Sequence, residues 1–82
     1  MNNMNFSLKI PALSVVVPVF NEQEVLPTFH QRLAEALQRV CGDTEIIYVN
    51  DGSRDASGAI IEELRLLDRR VGHISLSRNF GK

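Results

Sequence analysis

The sequence predicts an α/β fold, βαβαβ in order, forming one half of a doubly wound parallel sheet. Three observations carry that reading. Apolar runs rich in Val and Ile recur at Leu13–Phe20, Glu45–Asn50 and Val71–Leu76. Between them lie two segments whose apolar residues fall three and four apart, the spacing of one helical face. The connections are short, and parallel strands joined that way take right-handed crossovers.

The first strand is expected over residues 13–19. Its unbroken Val run reads as buried on both faces, so it is placed in the middle of the sheet. Pro18 lacks an N–H and marks the strand's last turn. The first helix is expected over 24–40, with Leu26, Phe29, Leu33, Leu37 and Val40 as its buried stripe. Pro27 fits only a first turn. Asn21 and Glu24 have capping-box spacing, and Gly42 with Asp43 ends the segment. The second strand is expected over 45–50. The second helix is expected over 56–69, capped by Asp55, with Ile60, Leu64 and Leu67 in its stripe and Val71 continuing it. A third strand ends at Leu76.

Composition narrows the classes. At 82 residues the chain is one domain at most. A formal net charge of -1 gives no bulk attraction to nucleic acid or anionic membrane. One cysteine, Cys41, excludes an internal disulfide and a cysteine-only metal site. Neither His30 nor His73 has a partner at metal-ligand spacing. No apolar run is long enough to span a bilayer, and residues 1–9 read as a polar lead-in without a signal-peptide pattern.

The chemistry concentrates at two strand exits. Asp51-Gly52-Ser53-Arg54-Asp55 follows the second strand, and Pro18-Val19-Phe20-Asn21-Glu22 closes the first. A carboxylate at a strand exit points into the crevice beyond the carboxyl edge, where open α/β sheets bind ligands. Gly52 allows the tight turn, which calls for positive φ. Two such exits in one short chain point to a nucleotide crevice. The first exit lacks Gly-x-Gly-x-x-Gly, which speaks against a dinucleotide fold. Gly81-Lys82 is not a P-loop, because Leu76 stands where that motif needs glycine.

These residues also carry a family resemblance. Val16-Val17-Pro18-Val19-Phe20-Asn21-Glu22 resembles the opening motif of family 2 glycosyltransferases. Asn50-Asp51-Gly52-Ser53-Arg54-Asp55 is similar to their Asp-Asp-Gly-Ser-x-Asp segment, with Asn50 in place of the first Asp. Ser77-Arg78-Asn79-Phe80-Gly81-Lys82 looks like a segment of the polyprenyl-phosphate branch, which holds the dolichol-phosphate mannose synthases and bactoprenol glucosyltransferases. The likeness runs over about residues 10–82. It implies a GT-A, Rossmann-like nucleotide-binding part, cut short at its C-terminal end.

The resemblance implies roles. Asp51 accepts a hydrogen bond from the base, where the competing role is to cap its own turn. Phe20 stacks on the base or packs in the core, and Pro18 offers a backbone carbonyl. Glu22 lines the nucleotide site. Asn21, Gly52 and Ser53 complete the nucleotide-binding set, although Asn21 has its capping role and Ser53 an equal claim as a turn residue. Asn50 is assigned to structure. Arg78 and Lys82 are cations on the diphosphate side, or solvated surface charges.

The implied activity is transfer of a hexose from a UDP- or GDP-sugar to a polyprenyl phosphate, at the cytoplasmic face of the cytoplasmic membrane. Membrane contact is expected through C-terminal helices outside these residues. Mg or Mn is expected in the full-length enzyme, held by a downstream Asp-x-Asp absent from this sequence. No catalytic residue and no metal ligand is assigned within the chain. The 82 residues alone are expected to be inactive. Homo-oligomerisation is left open, and nucleic acid is not an expected partner. The alternative is a non-catalytic, regulatory nucleotide-binding module of the same topology.

Overall fold

The computed structural model describes residues 10–77. The polar lead-in over 1–9 and the assignments to Arg78 and Lys82 lie outside them. The elements run β1 (Leu13–Val19), α1 (Leu26–Leu37), β2 (Thr44–Asp51), α2 (Ser57–Leu67) and β3 (Val71–Leu76). The three strands form one parallel sheet, so the expected fold class holds.

The order is β1-β2-β3, with β2 rather than β1 between two neighbours. This corrects the expectation that the first strand is central. Both crossovers advance the sheet in the same direction. Each new strand therefore adds outside the last, and among the described residues β1 stands at an edge. Being of one hand, both crossovers also lay their helices on the same face. Leu26 and Leu37 of α1 and Ile61 of α2 accordingly share one core with Val19, Ile46, Tyr48 and Val71.

Register decides which residues face that core. Val15, Val17 and Val19 pair with Ile46, Tyr48 and Asn50 on the helix side. Val16 and Pro18 pair with Ile47 and Val49 on the other face. That second face carries no helix among the described residues, and Val16 is 60% exposed on it. Among the described residues the Val run therefore has one covered face. Pro18 is tolerated because β1 is an edge strand among the described residues.

Both helices start later than expected; α1 keeps its expected stripe at Leu26, Leu33, Leu37 and Val40, and α2 differs in phase. The α1 segment begins at Leu26, with Pro27 in its first turn, and Val25 caps it without a side-chain hydrogen bond. The expected Asn21–Glu24 capping box is not formed. Instead the Glu22 carbonyl accepts from the N–H groups of Val25 and Leu26, at 3.1 and 3.0 Å. Phe29 is half exposed and its neighbour His30 is buried. In α2 the fully buried positions are Ser57 and Ile61, while Leu67 is 85% exposed. Ile60 and Leu64 only flank the core, and Val71 opens β3. The expected stripe is therefore one residue out of phase. Gly42 adopts φ 100°, and a Cβ there would stand 2.9 Å from that of Ala12. Only glycine fits that turn into β2.

Candidate nucleotide site at the carboxyl edge

Alternation along β2 separates two adjacent polar residues. Asn50 turns toward the helices and is buried. Its Oδ1 accepts from the Ser53 N–H at 3.1 Å. The first turn of α2 passes so close that a Cβ on Gly58 would stand 3.0 Å from Asn50 Nδ2. Asn50 therefore shapes the turn, consistent with its assignment to structure. Asp51 points to the opposite, open face. Since Val19 pairs with Asn50, Phe20 and Asp51 follow directly on the last paired positions of the two strands. Phe20 is 45% exposed and Asp51 half-buried. An aromatic face and a carboxylate stand at adjacent strand ends. Gly52 then turns the chain with φ 74°, as its position required.

The two loops beyond these strands are stitched together. The Asn21 N–H donates to Ser53 Oγ at 2.9 Å, and the Arg54 N–H donates to Asn21 Oδ1 at 2.9 Å. The Gln23 N–H donates to Asp55 Oδ2 at 3.2 Å, and the Ala56 N–H donates to Gln23 Oε1 at 2.7 Å. The Glu22 N–H donates to Ser57 Oγ at 2.8 Å. Each bond joins a backbone N–H of one segment to a side-chain oxygen of the other. The exchange demands an unusual backbone. Asn21 sits at φ 52°, which asparagine tolerates better than most side chains.

This places the sequence-derived residues in three groups. Phe20, Asp51 and Gly52 gather at the carboxyl edge. Asn21 and Ser53 engage each other's loops through their side-chain oxygens. Glu22 stands on the other side of its loop. It lines one open cleft with Gln23, Glu24 and Asp55, and an apolar one with Pro18, Val25 and Phe29. Neither lining includes Phe20 or Asp51. Asp55 caps α2 in substance, since its Oδ1 accepts from the Ser57 N–H at 2.9 Å. It also bonds Gln23, a role beyond the cap read from sequence. The Ser57 hydroxyl is the chief group holding the Asp55 carboxyl below its usual range.

Sequence reasoning missed Gln23 and Ser57. Both side chains bond residues more than thirty positions away, and no local pattern reports that. Among the described residues, no group of three or more His, Cys, Asp or Glu is placed to hold a metal ion. None of the described helices is long and apolar enough to cross a membrane.

The family model described as glycosyl transferase family 2 matches residues 14–82. The chain belongs to that family. This family 2 chain is 44% identical over 70 residues to "Prophage bactoprenol glucosyl transferase homolog" of Escherichia coli (strain K12), covering 85% of the chain and 23% of that protein. It is 47% identical over 68 residues to "Uncharacterized glycosyltransferase YkcC" of Bacillus subtilis (strain 168), covering 83% of the chain and 21% of that protein. It is also 40% identical over 74 residues to "Undecaprenyl-phosphate 4-deoxy-4-formamido-L-arabinose transferase" of Pseudomonas fluorescens (strain SBW25), covering 89% and 22% respectively. The chain therefore spans less than a quarter of the length of these relatives. The resemblance read from its three motifs is confirmed at the level of the family, and two of the three names carry bactoprenol or undecaprenyl-phosphate.

Proposed function

We propose that the intact protein transfers a hexose from a UDP- or GDP-sugar to a polyprenyl phosphate at the cytoplasmic membrane face, and that residues 10–82 recognise the nucleotide. The observation that supports this most is that Phe20 and Asp51 lie at the carboxyl ends of two paired strands. The ring offers a stacking surface. The carboxylate accepts from a base N–H, a charge-assisted bond. Asn50, one residue earlier, is turned away and does not compete. The acceptor class rests on relatives whose names carry bactoprenol and undecaprenyl-phosphate.

A divalent metal, Mg or Mn, would stabilise charge on the leaving diphosphate. The described residues do not fit such a site, so its ligands are assigned elsewhere in the intact protein. Arg78 and Lys82 are proposed for the diphosphate side.

The test is calorimetric titration of UDP and GDP against the intact protein and its Asp51→Asn variant. An amide still accepts, but it forfeits the charge and can turn a donor toward the base N–H. The expected loss is about 1.5–3 kcal/mol, or roughly ten- to a hundredfold in affinity. Unchanged affinity for both nucleotides would remove Asp51 as the base-reading residue.

A further inference from the structure

Glu22 is gripped on both sides of its backbone. Its N–H donates to Ser57 Oγ, and its carbonyl accepts from Val25 and Leu26 as α1 begins. What remains free to turn is the side chain, which lines both clefts beside this loop. Ser57, by contrast, is 0% exposed. It sits in the first turn of α2, far along the chain from Glu22, and no ligand can reach its hydroxyl. Its backbone N–H is already bonded to Asp55 Oδ1. The same Asp55 holds Gln23 through its second oxygen. Ser57 and Asp55 together therefore fix two consecutive backbone N–H groups, those of Glu22 and Gln23.

That geometry has a consequence for the carboxylate. The chain reverses its handedness at Asn21, φ 52°, one residue before Glu22. Without a fixed point after this turn, the Glu22 Cα is free to swing about the strained residue. The Ser57 hydroxyl supplies the fixed point. It does so from the helix that also carries Ile61 into the core, so the loop inherits the rigidity of the core.

We propose that Ser57 is a positioning residue for donor binding: its buried hydroxyl anchors the Glu22 backbone and thereby sets where the Glu22 carboxylate meets the nucleotide-sugar. This rests on the functional reading above together with the nucleotide-site role that the family resemblance gives Glu22. It adds a residue that touches no ligand and acts from a second helix.

The test uses the intact protein with Ser57→Ala, Glu22→Gln and the double variant. UDP and GDP are titrated by calorimetry, and amide hydrogen exchange is followed at Glu22 and at the core positions Ile46 and Tyr48. Ser57→Ala is expected to speed exchange at Glu22, leave the core amides unchanged and weaken nucleotide binding about tenfold. The double variant is expected to bind no more weakly than Glu22→Gln alone, because Ser57 acts through Glu22. Multiplying losses in the double variant would overturn the proposal. So would unchanged affinity in Ser57→Ala, and so would faster exchange spread through the core, which would make Ser57 a packing residue only. Wild-type protein that binds neither nucleotide would overturn the functional reading and this inference with it. Binding by wild type with no effect of Ser57→Ala would overturn this inference alone.

Discussion

The loops at the carboxyl edge and the interior beneath them are held by opposite kinds of hydrogen bond. In the loops, backbone N–H groups meet side-chain oxygens, and apart from the buried Ser57 the residues are exposed or half-buried. In the interior, side chains bond side chains. The Tyr48 hydroxyl lies 2.7 Å from His30 Nδ1, and His30 Nε2 lies 3.1 Å from Asp68 Oδ2. Asp68 also takes two bonds from the Arg70 guanidinium, at 2.9 and 2.8 Å. A carboxylate only accepts, so His30 donates at Nε2. In the tautomer that donates at Nε2, the Nδ1 atom accepts from the Tyr48 hydroxyl.

The difference teaches what each region is for. A backbone N–H has one direction, so the loop bonds fix geometry, and apart from Asp55 their acceptors carry no charge. The interior chain joins α1, β2 and the α2–β3 turn where water is scarce, and unpairing any member is costly. It titrates as well. Arg70 holds the Asp68 carboxyl far below its usual range. Burial, aided by the Asp68 charge, pushes the Tyr48 hydroxyl up to about 12. The loops are therefore expected to govern ligand affinity, and the interior chain to govern stability.

The largest expected effect is at Asp68. Asp68→Ala leaves Arg70 and His30 without their shared acceptor, and is expected to cost about 2–3 kcal/mol in denaturant unfolding. Affinity for UDP and GDP should not change. A loss of affinity matching the loss of stability would erase the division between the two regions.

Tyr48→Phe comes next, at about 1–2 kcal/mol near neutral pH, because the buried His30 Nδ1 loses its donor. It also carries a pH signature. The folded pKa lies above the unfolded value of about 10, so the phenol's contribution is complete below pH 10 and is lost as pH rises toward 12. Wild-type stability should fall through that window by up to roughly 2–3 kcal/mol more than that of Tyr48→Phe. Parallel alkaline curves for the two proteins would show that the phenol does not titrate with unfolding.

Asn21→Ala should cost about 1–2 kcal/mol from backbone strain together with the lost bond to the Arg54 N–H. Asn21→Gly removes the strain and should cost less. It should still weaken nucleotide binding, because the stitch is opened. Equal thermal midpoints for the two variants would show that the positive φ stores no strain.

The smallest effect is at Asp55. As a helix cap alone, Asp55 would give way to Asn at much less cost than Asp51, since both residues cap helices. The structure gives each carboxylate oxygen its own N–H, and an amide has a single acceptor oxygen. A modest affinity loss, smaller than for Asp51→Asn, is therefore expected by titration. Because the folded pKa is lowered, the carboxylate's contribution is present above the usual range, about 4, and fades as pH falls through the depressed value. Asp55→Asn should flatten that acid limb.

Element type was legible in the chain because it is written in local spacing. The Val and Ile runs gave three strands, the three-and-four spacing gave two helices, and Gly52 announced its positive φ from the turn it had to make. The carboxyl-edge position of Asp51 followed from the strand it ends, and the apolar-Pro-apolar-aromatic-Asn-Glu run with Asp-Gly-Ser-x-Asp was enough to name the family. Strand order was not legible, since an apolar run reports burial without saying which neighbours supply it; the direction of two successive crossovers put β2 in the middle. Nor was the phase of α2, which follows where Ser57 and Ile61 dock. Asn21, a capping residue by its spacing, became a left-handed hinge that bonds Ser53 and Arg54 instead. Those bonds span more than thirty residues, and only the folding of two strand ends onto adjacent positions brings their atoms within reach.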